Sequence, residues 1–256
     1  MKNRIKDNWV VITGATAGIG RSAAWQFGEY ECNLALTGRR RERLETLKKE
    51  LEEAYPIQVH ISSFDIRDRQ ACRDFLDSLE QPVDILVNNA GLALGMDAVY
   101  EADLDDWDTM IDTNVKGLLT MIRLVSEQMK RRDHGHIINL GSTASHTGYA
   151  GGSVYCATKH AVKAITEAAK KDLHGTSVRV SMISPGAVET EFSKVRFKGD
   201  EEQADEVYEG MQPLTPRDIA EIIVFVANRP PHVNIIDTII YSINQSSATM
   251  IYRDDS

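Results

Sequence analysis

Cysteine is scarce: Cys32, Cys72 and Cys156 are the only three in 256 residues. An odd count in so long a chain is no disulfide framework. No Cys/His group has zinc spacing, and His134 and His136 read as a turn leading into a strand. No apolar run approaches 18 residues, so no membrane span and no membrane partner is expected. The residues before Trp9 lack an apolar core, so no signal peptide is expected, and the expected location is the cytoplasm. Positive charge is also short, with 29 Lys plus Arg against 38 Asp plus Glu and a net charge of −9. That balance argues against nucleic acid as a partner. Hydrophobic residues at 42% and charged residues at 26% exclude wholesale disorder.

What is present is alternation. Short apolar runs, many of them β-branched, occur at Trp9–Ile12, Asn33–Thr37, Val59–Phe64, Asp84–Val87, His136–Leu140, Val178–Ile183 and Ile235–Tyr241. Unbroken runs of this length suit strands buried on both faces. Amphipathic segments lie between them. Arg41–Ala54 places Leu44, Leu47 and Leu51 on one helical face. Thr215-Pro216-Arg217-Asp218 is a helix start, with Thr as N-cap and Pro at the first helical position. The expected fold class is α/β: one doubly wound Rossmann domain over residues 1–256, with about seven parallel strands and helices on both faces. The charged stretch Glu189–Pro213 reads as a loop or a substrate lid.

The first strand is followed by Thr13-Gly14-Ala15-Thr16-Ala17-Gly18-Ile19-Gly20 and then by a helical pattern. Glycines here permit a tight turn and close approach of a pyrophosphate to a helix N-terminus. A strand–helix turn that merely needs glycine would look similar, but its place in the alternation favours nucleotide binding. The end of the second strand reads the cofactor ribose in such folds. It carries Thr37-Gly38-Arg39-Arg40-Arg41, with no acid to accept from a 2′-hydroxyl. Arginines fork onto phosphate, so Arg39 and Arg40 point to NADP, although a charged helix start would also contain them.

Tyr155 and Lys159 stand four apart, on one face of a helix. A tyrosine is a poor base near neutrality, and a neighbouring cation would lower its pKa. Such pairs arise by chance, so the pair gains weight only from Ser142, thirteen residues upstream at a strand end, where a hydroxyl can polarise a substrate oxygen. Ser145 is the nearby competitor.

The set Thr-Gly-x-x-x-Gly-x-Gly, Asn88-Asn89-Ala90-Gly91, Ser142, Tyr155-Cys156-Ala157-Thr158-Lys159 and Pro185-Gly186 resembles the short-chain dehydrogenase/reductase family, in order and over nearly the whole chain. The resemblance implies Tyr155 as acid/base, Lys159 as its partner and ribose clamp, and Ser142 as the orienting donor. It implies Asn114 as support for a proton relay, although an Asn simply satisfied inside a helix would fit too. For the cofactor it implies the loop residues Gly14, Thr16, Ala17, Gly18, Ile19 and Gly20. It adds Asp65 and Ile66 beside adenine (Asp65 could equally cap the next helix), Asn89, Ala90 and Gly91, and Pro185, Gly186, Val188 and Thr190. Asn88 is expected to knit strand ends, and Cys156 to pack in the core.

Gly91–Met96, Tyr149–Tyr155 and Lys194–Asp200 resemble the branch of NADP-dependent 3-hydroxy acid dehydrogenases, also described as serine or L-allo-threonine dehydrogenases. The implied substrate is a small hydroxy acid, whose carboxylate Arg196 or Lys198 could meet, with Arg196 the candidate, although a solvated loop charge would look the same. Ser184-Pro185-Gly186-Ala187-Val188-Glu189-Thr190 departs from that branch and leaves the pocket rim open. A 3-oxoacyl-carrier-protein reductase would need a basic docking patch, such as Lys130-Arg131-Arg132. A non-catalytic NADP-binding sensor would not need the Ser–Tyr–Lys set. Family members are commonly homotetramers, and the patterns at Asp105–Arg132, Ser153–Leu173 and Ile235–Tyr252 suit that assembly.

Overall fold

A computed structural model describes residues 2–254. Its strands are β1 (Trp9–Thr13), β2 (Asn33–Gly38), β3 (Val59–Ser63), β4 (Ile85–Asn88), β5 (His136–Leu140), β6 (Arg179–Pro185) and β7 (Asp237–Ile240). All pair in parallel, in the order β3-β2-β1-β4-β5-β6-β7. The apolar runs explain this: Val10, Val11 and Ile12, and all of β5, are buried, as strands covered on both faces must be. β5 has the expected limits, and the other strands differ from theirs by one or two residues.

The helices are α1 (Gly18–Glu29), α2 (Arg41–Ala54), α3 (Arg69–Asp77), α4 (Leu104–Ile111), α5 (Leu118–Arg132), α6 (Ser153–Asp172), α7 (Glu191–Arg196), α8 (Glu201–Glu206) and α9 (Pro216–Ala227). One face of the sheet packs with Phe27, Leu44, Leu47, Leu51 and Ile223. The other packs with Met121, Val125, Met129 and Val162. The helix start at Thr215 is a full capping box: its Oγ accepts from Asp218 N, and the Asp218 carboxylate accepts from Thr215 N.

The stretch 189–213 is not an irregular loop. Thr190 caps α7 and Asp200 caps α8 with their side-chain oxygens. Each helix has only six residues, too few to display a repeat in sequence. Tyr208 ties the stretch down, donating to Val188 O at 2.9 Å and pairing with Ser193 Oγ at 2.7 Å. The strand order reverses between β1 and β4, and there the carboxyl ends of the strands open a crevice.

Candidate active site

A cleft of about 1430 Å³, solvent at its mouth included, follows that crevice. At its centre lies the glycine loop. Gly14 (φ +68°) and Gly18 (φ +51°) sit in the left-handed region that side chains resist. A Cβ on Gly20 would stand 2.5 Å from Asn89 Nδ2 and from Gly14 O. Ala17 caps α1 without a side-chain bond, so the first N–H groups of the helix face the cleft unblocked by a capping oxygen. Thr16, Ala17, Gly18 and Ile19 line the cleft.

The two asparagines both brace the scaffold. Asn88 Nδ2 donates to Asn139 Oδ1 at 3.0 Å and knits β4 to β5, as expected. Asn89 lines the cleft, but its amide donates to Thr13 O at 2.9 Å and Gly14 O at 3.2 Å. Its side chain therefore shapes the glycine loop. Ala90 and Gly91 continue the wall.

Beyond β2, Arg39 and Arg40 both line the cleft. Arg40 Nε and Nη2 donate to Thr16 Oγ1 at 3.3 and 3.0 Å, and its Nη1 to Glu191 at 2.7 Å. Arg43 meets the other oxygen of Glu191 at 2.7 Å. The guanidinium of Arg39 has no hydrogen-bond or ion-pair partner among the described residues. Asp65 and Ile66 complete this end. Asp65 is no helix cap: Asp68 caps α3, accepting from Gln70 N and Ala71 N. Asp65 instead accepts from Arg67 at 3.0 and 2.8 Å, which holds its carboxyl below the usual range.

At the opposite end α6 presents Tyr155 and Lys159, both buried, and the turn after β5 presents Ser142. All three line the cleft. Ser145 is used elsewhere: its Oγ accepts from Ser142 N at 3.1 Å and holds that turn. Lys159 Nζ donates to Leu140 O at 2.9 Å and stands 6.0 Å from the centre of the Tyr155 ring. The expected lowering of the tyrosine pKa is not found. Burial pushes Tyr155 up, Tyr149 adds to that, and a hydrogen bond with Ser142 opposes it. Burial also lowers Lys159, to about 8. Burial disfavours the charged form of each group, phenolate and ammonium alike. Cys156 packs in the same small core as Tyr155.

Asn114 lies in a π-helical turn, Asp112–Gly117, that joins α4 to α5. Its side chain does not line the cleft. Oδ1 accepts from Leu92 N at 2.9 Å, and Nδ2 donates to Leu92 O at 2.8 Å and Thr158 Oγ1 at 3.1 Å. The expected relay role is thus not visible in its side chain, which clamps the strand-end loop to α6.

The last wall follows β6. Pro185, Gly186, Val188 and Thr190 line the cleft. The α7 residue Phe192 meets the Tyr155 ring at 5.7 Å between centroids, edge to face. The Arg196 guanidinium lies 5.3 Å from the centre of the same ring. It is neither a solvated loop charge nor a cleft wall: Nε donates to Gly95 O at 3.2 Å and Nη2 to Tyr149 at 2.9 Å. Sequence reasoning missed Glu191, Phe192 and Tyr149. Their partners lie far along the chain, and no local pattern marks them.

The arrangement places arginines at one end of a cleft, the glycine loop at its middle, and the hydroxyls of Ser142 and Tyr155 with the Lys159 amine at the other. Among the described residues no group of three His, Cys, Asp or Glu gathers to hold a metal ion. Residues 8–201 match the family described as short chain dehydrogenase. The chain is 49% identical over 243 residues to an NADP-dependent 3-hydroxy acid dehydrogenase of Salmonella typhi, spanning 93% of this chain and 96% of that one. It is 42% identical over 255 residues to the NADP-dependent 3-hydroxy acid dehydrogenase of Schizosaccharomyces pombe, spanning 98% of each. The solved closed form of a serine dehydrogenase complexed with NADP+ superposes with a TM-score of 0.90 at 48% identity, covering 94% of this chain and 97% of that one.

Proposed function

The chain belongs to the short chain dehydrogenase family, and from that premise we propose that it is an NADP-dependent oxidoreductase of small β-hydroxy acids. Serine, L-allo-threonine, 3-hydroxypropionate and compounds of that size are the substrates in view, each interconverted with its β-oxo form. The observation that carries the reading is the single cleft running from Arg39 and Arg40, past the glycine loop, to Ser142, Tyr155 and Lys159. Relatives named for this activity at 42–49% identity support it.

The residues present fit NADP. Ala17 leaves the α1 N-terminus without a side-chain cap, and Arg39 leaves a guanidinium open at the ribose end. The glycine loop and the α1 N-terminus would hold the pyrophosphate, and Arg39 and Arg40 the 2′-phosphate. Asp65 and Ile66 would border adenine. Gly91, Pro185, Gly186, Val188 and Thr190 would frame the nicotinamide. When bound, the cofactor supplies the hydride donor or acceptor.

The chain's own residues manage the substrate oxygen and its proton. Ser142 donates to that oxygen and polarises it. Tyr155 delivers the proton to the developing alkoxide in reduction and removes it in oxidation. Burial holds Tyr155 protonated, the form that reduction needs, and disfavours the phenolate that oxidation needs. Lys159, lowered by burial to about 8, would replenish the proton and clamp the ribose.

Arg196 does not itself line the cleft, but its guanidinium lies beside the Tyr155 ring and is the cation proposed to reach a substrate carboxylate. Its Nη1 has no partner among the described residues, and a substrate carboxylate is the ligand it would take. Arg196→Gln tests this: KM for β-hydroxy acids rises about tenfold or more, the size of one charged hydrogen bond, while a neutral alcohol is unaffected. Equal loss on both substrates would reassign Arg196 to holding α7 alone. Exposed Ile239, Ile243, Met250 and Tyr252 are surface that a homotetramer would cover, which light scattering tests.

A further inference from the structure

We infer that Glu191 is a positioning residue, strapping the helix that covers Tyr155 to the arginines at the far end of the cleft. Both of its carboxylate oxygens are engaged, one by Arg40 and one by Arg43, each at 2.7 Å. Those arginines hold its carboxyl below the usual range. Arg40 in turn grips Thr16 on the glycine loop with two other nitrogens. A continuous chain of contacts therefore runs from the glycine loop through Arg40 to Glu191, the first residue of α7.

The rest of α7 carries the consequence. Phe192 follows at once and lies edge-on to the Tyr155 ring. One turn further, Arg196 lies over the same ring, and it exchanges bonds with Gly95: Gly95 N donates to Arg196 O at 2.9 Å, and Arg196 Nε donates back to Gly95 O. A six-residue helix has little stability of its own, so its place is set by what anchors each end. Gly95 and Tyr149 anchor the C-terminal end, and Glu191 the N-terminal end. Glu191 donates nothing to an anion and carries the same sign as a phosphate. Its contribution at the arginines is therefore to hold α7, not to recruit cofactor.

The inference rests on Tyr155 as the reacting acid/base of a β-hydroxy acid oxidoreductase, and its test separates the two. Glu191→Gln keeps the shape and removes the charge. The first readout needs no substrate: amide exchange of residues 192–197 followed by mass spectrometry. Exchange there should quicken about threefold to tenfold, the scale of two half-exposed ion pairs on one carboxylate. The second readout is a split: KM for the hydroxy acid rises by a similar factor while NADPH binding, read by fluorescence, is not weakened, because the variant frees Arg40 and removes a negative charge from the cleft. Arg43→Gln, which keeps Arg39 and Arg40, should move exchange and KM in the same direction, and the double variant should add little further. Unchanged exchange, or weakened NADPH binding with an unchanged KM, would overturn the inference. If the unmodified protein turns over no hydroxy acid, the substrate reading fails, and the exchange result still decides whether Glu191 holds α7.

Discussion

Replacing Arg39 by Gln should weaken NADPH and leave NADH alone. The guanidinium of Arg39 lines the cleft, and none of its N–H groups is taken by another described residue. Arg40 lines it too, but two of its nitrogens serve Thr16 and the third serves Glu191. A guanidinium has five N–H groups, so Arg40 can offer fewer of them to a 2′-phosphate than Arg39. A hydrogen bond to a charged group contributes about 1.5–3 kcal/mol. Arg39 is exposed, so one such contribution is the appropriate size for the whole contact. That corresponds to a rise in the NADPH dissociation constant of about tenfold to a hundredfold, with Arg40→Gln costing less. Fluorescence titration of NADPH and NADH against the unmodified protein and both variants measures it. The NADPH affinity of the unmodified protein should also fall with added salt more steeply than that of Arg39→Gln. Equal weakening of NADPH and NADH would refute the assignment, because it would place Arg39 at a part of the cofactor that both share.

Three further outcomes follow from the packing and electrostatics. Gly20→Ala sets a methyl 2.5 Å from Asn89 Nδ2 and Gly14 O. Overpacking of that kind costs about 1–3 kcal/mol, so thermal melting should drop by about 2–10 °C and NADPH binding should be lost together with it. His136 is fully buried against Ser181, at 2.8 Å, and burial holds its pKa well below the ordinary value. In the unfolded chain the imidazole protonates near pH 6.5, while in the folded protein it stays neutral. Stability is therefore complete above that pH and falls below it, by up to about 1.4 kcal/mol per pH unit. Urea unfolding at pH 7, 6 and 5 should show a shallower decline in His136→Gln. Phe27→Ala, on the buried face of α1, should cost about 3–5 kcal/mol in urea unfolding, without altering the NADPH to NADH preference of whatever protein remains folded.

Legibility in sequence followed the range of the interaction. The α2 limits and the Thr215 capping box were readable because a leucine stripe and a cap are settled within a few residues. The parallel strands were readable because burial on both faces leaves unbroken apolar runs. Gly14, Gly18, Ser142, Tyr155 and Lys159 come to one cleft, as the spacing suggested. Asp65 and Asp68 show the limit: both are acids ahead of α3, and only the backbone path decides that Asp68 caps it while Asp65 meets Arg67. Asn114 shows another, since the π-helical turn directs its amide to Leu92. Glu191 stood in a charged stretch with no distinguishing neighbours, and its partners Arg40 and Arg43 lie 151 and 148 residues away. The Tyr155–Lys159 spacing was right, but its electrostatic consequence depended on burial, which spacing does not report.

The central claim is that Tyr155 moves the substrate proton in an NADP-dependent reaction of a β-hydroxy acid. The most direct measurement follows NADPH absorbance with L-serine, L-allo-threonine, 3-hydroxypropionate and 3-hydroxyisobutyrate, comparing the unmodified protein with Tyr155→Phe. The account predicts turnover with NADP on at least one of these acids, a loss of about a hundredfold or more in the variant, and NADPH binding retained. Turnover that survives in Tyr155→Phe would contradict the assignment of the acid/base, and silence of the unmodified protein across the acids, with NADPH still bound, would contradict the substrate class.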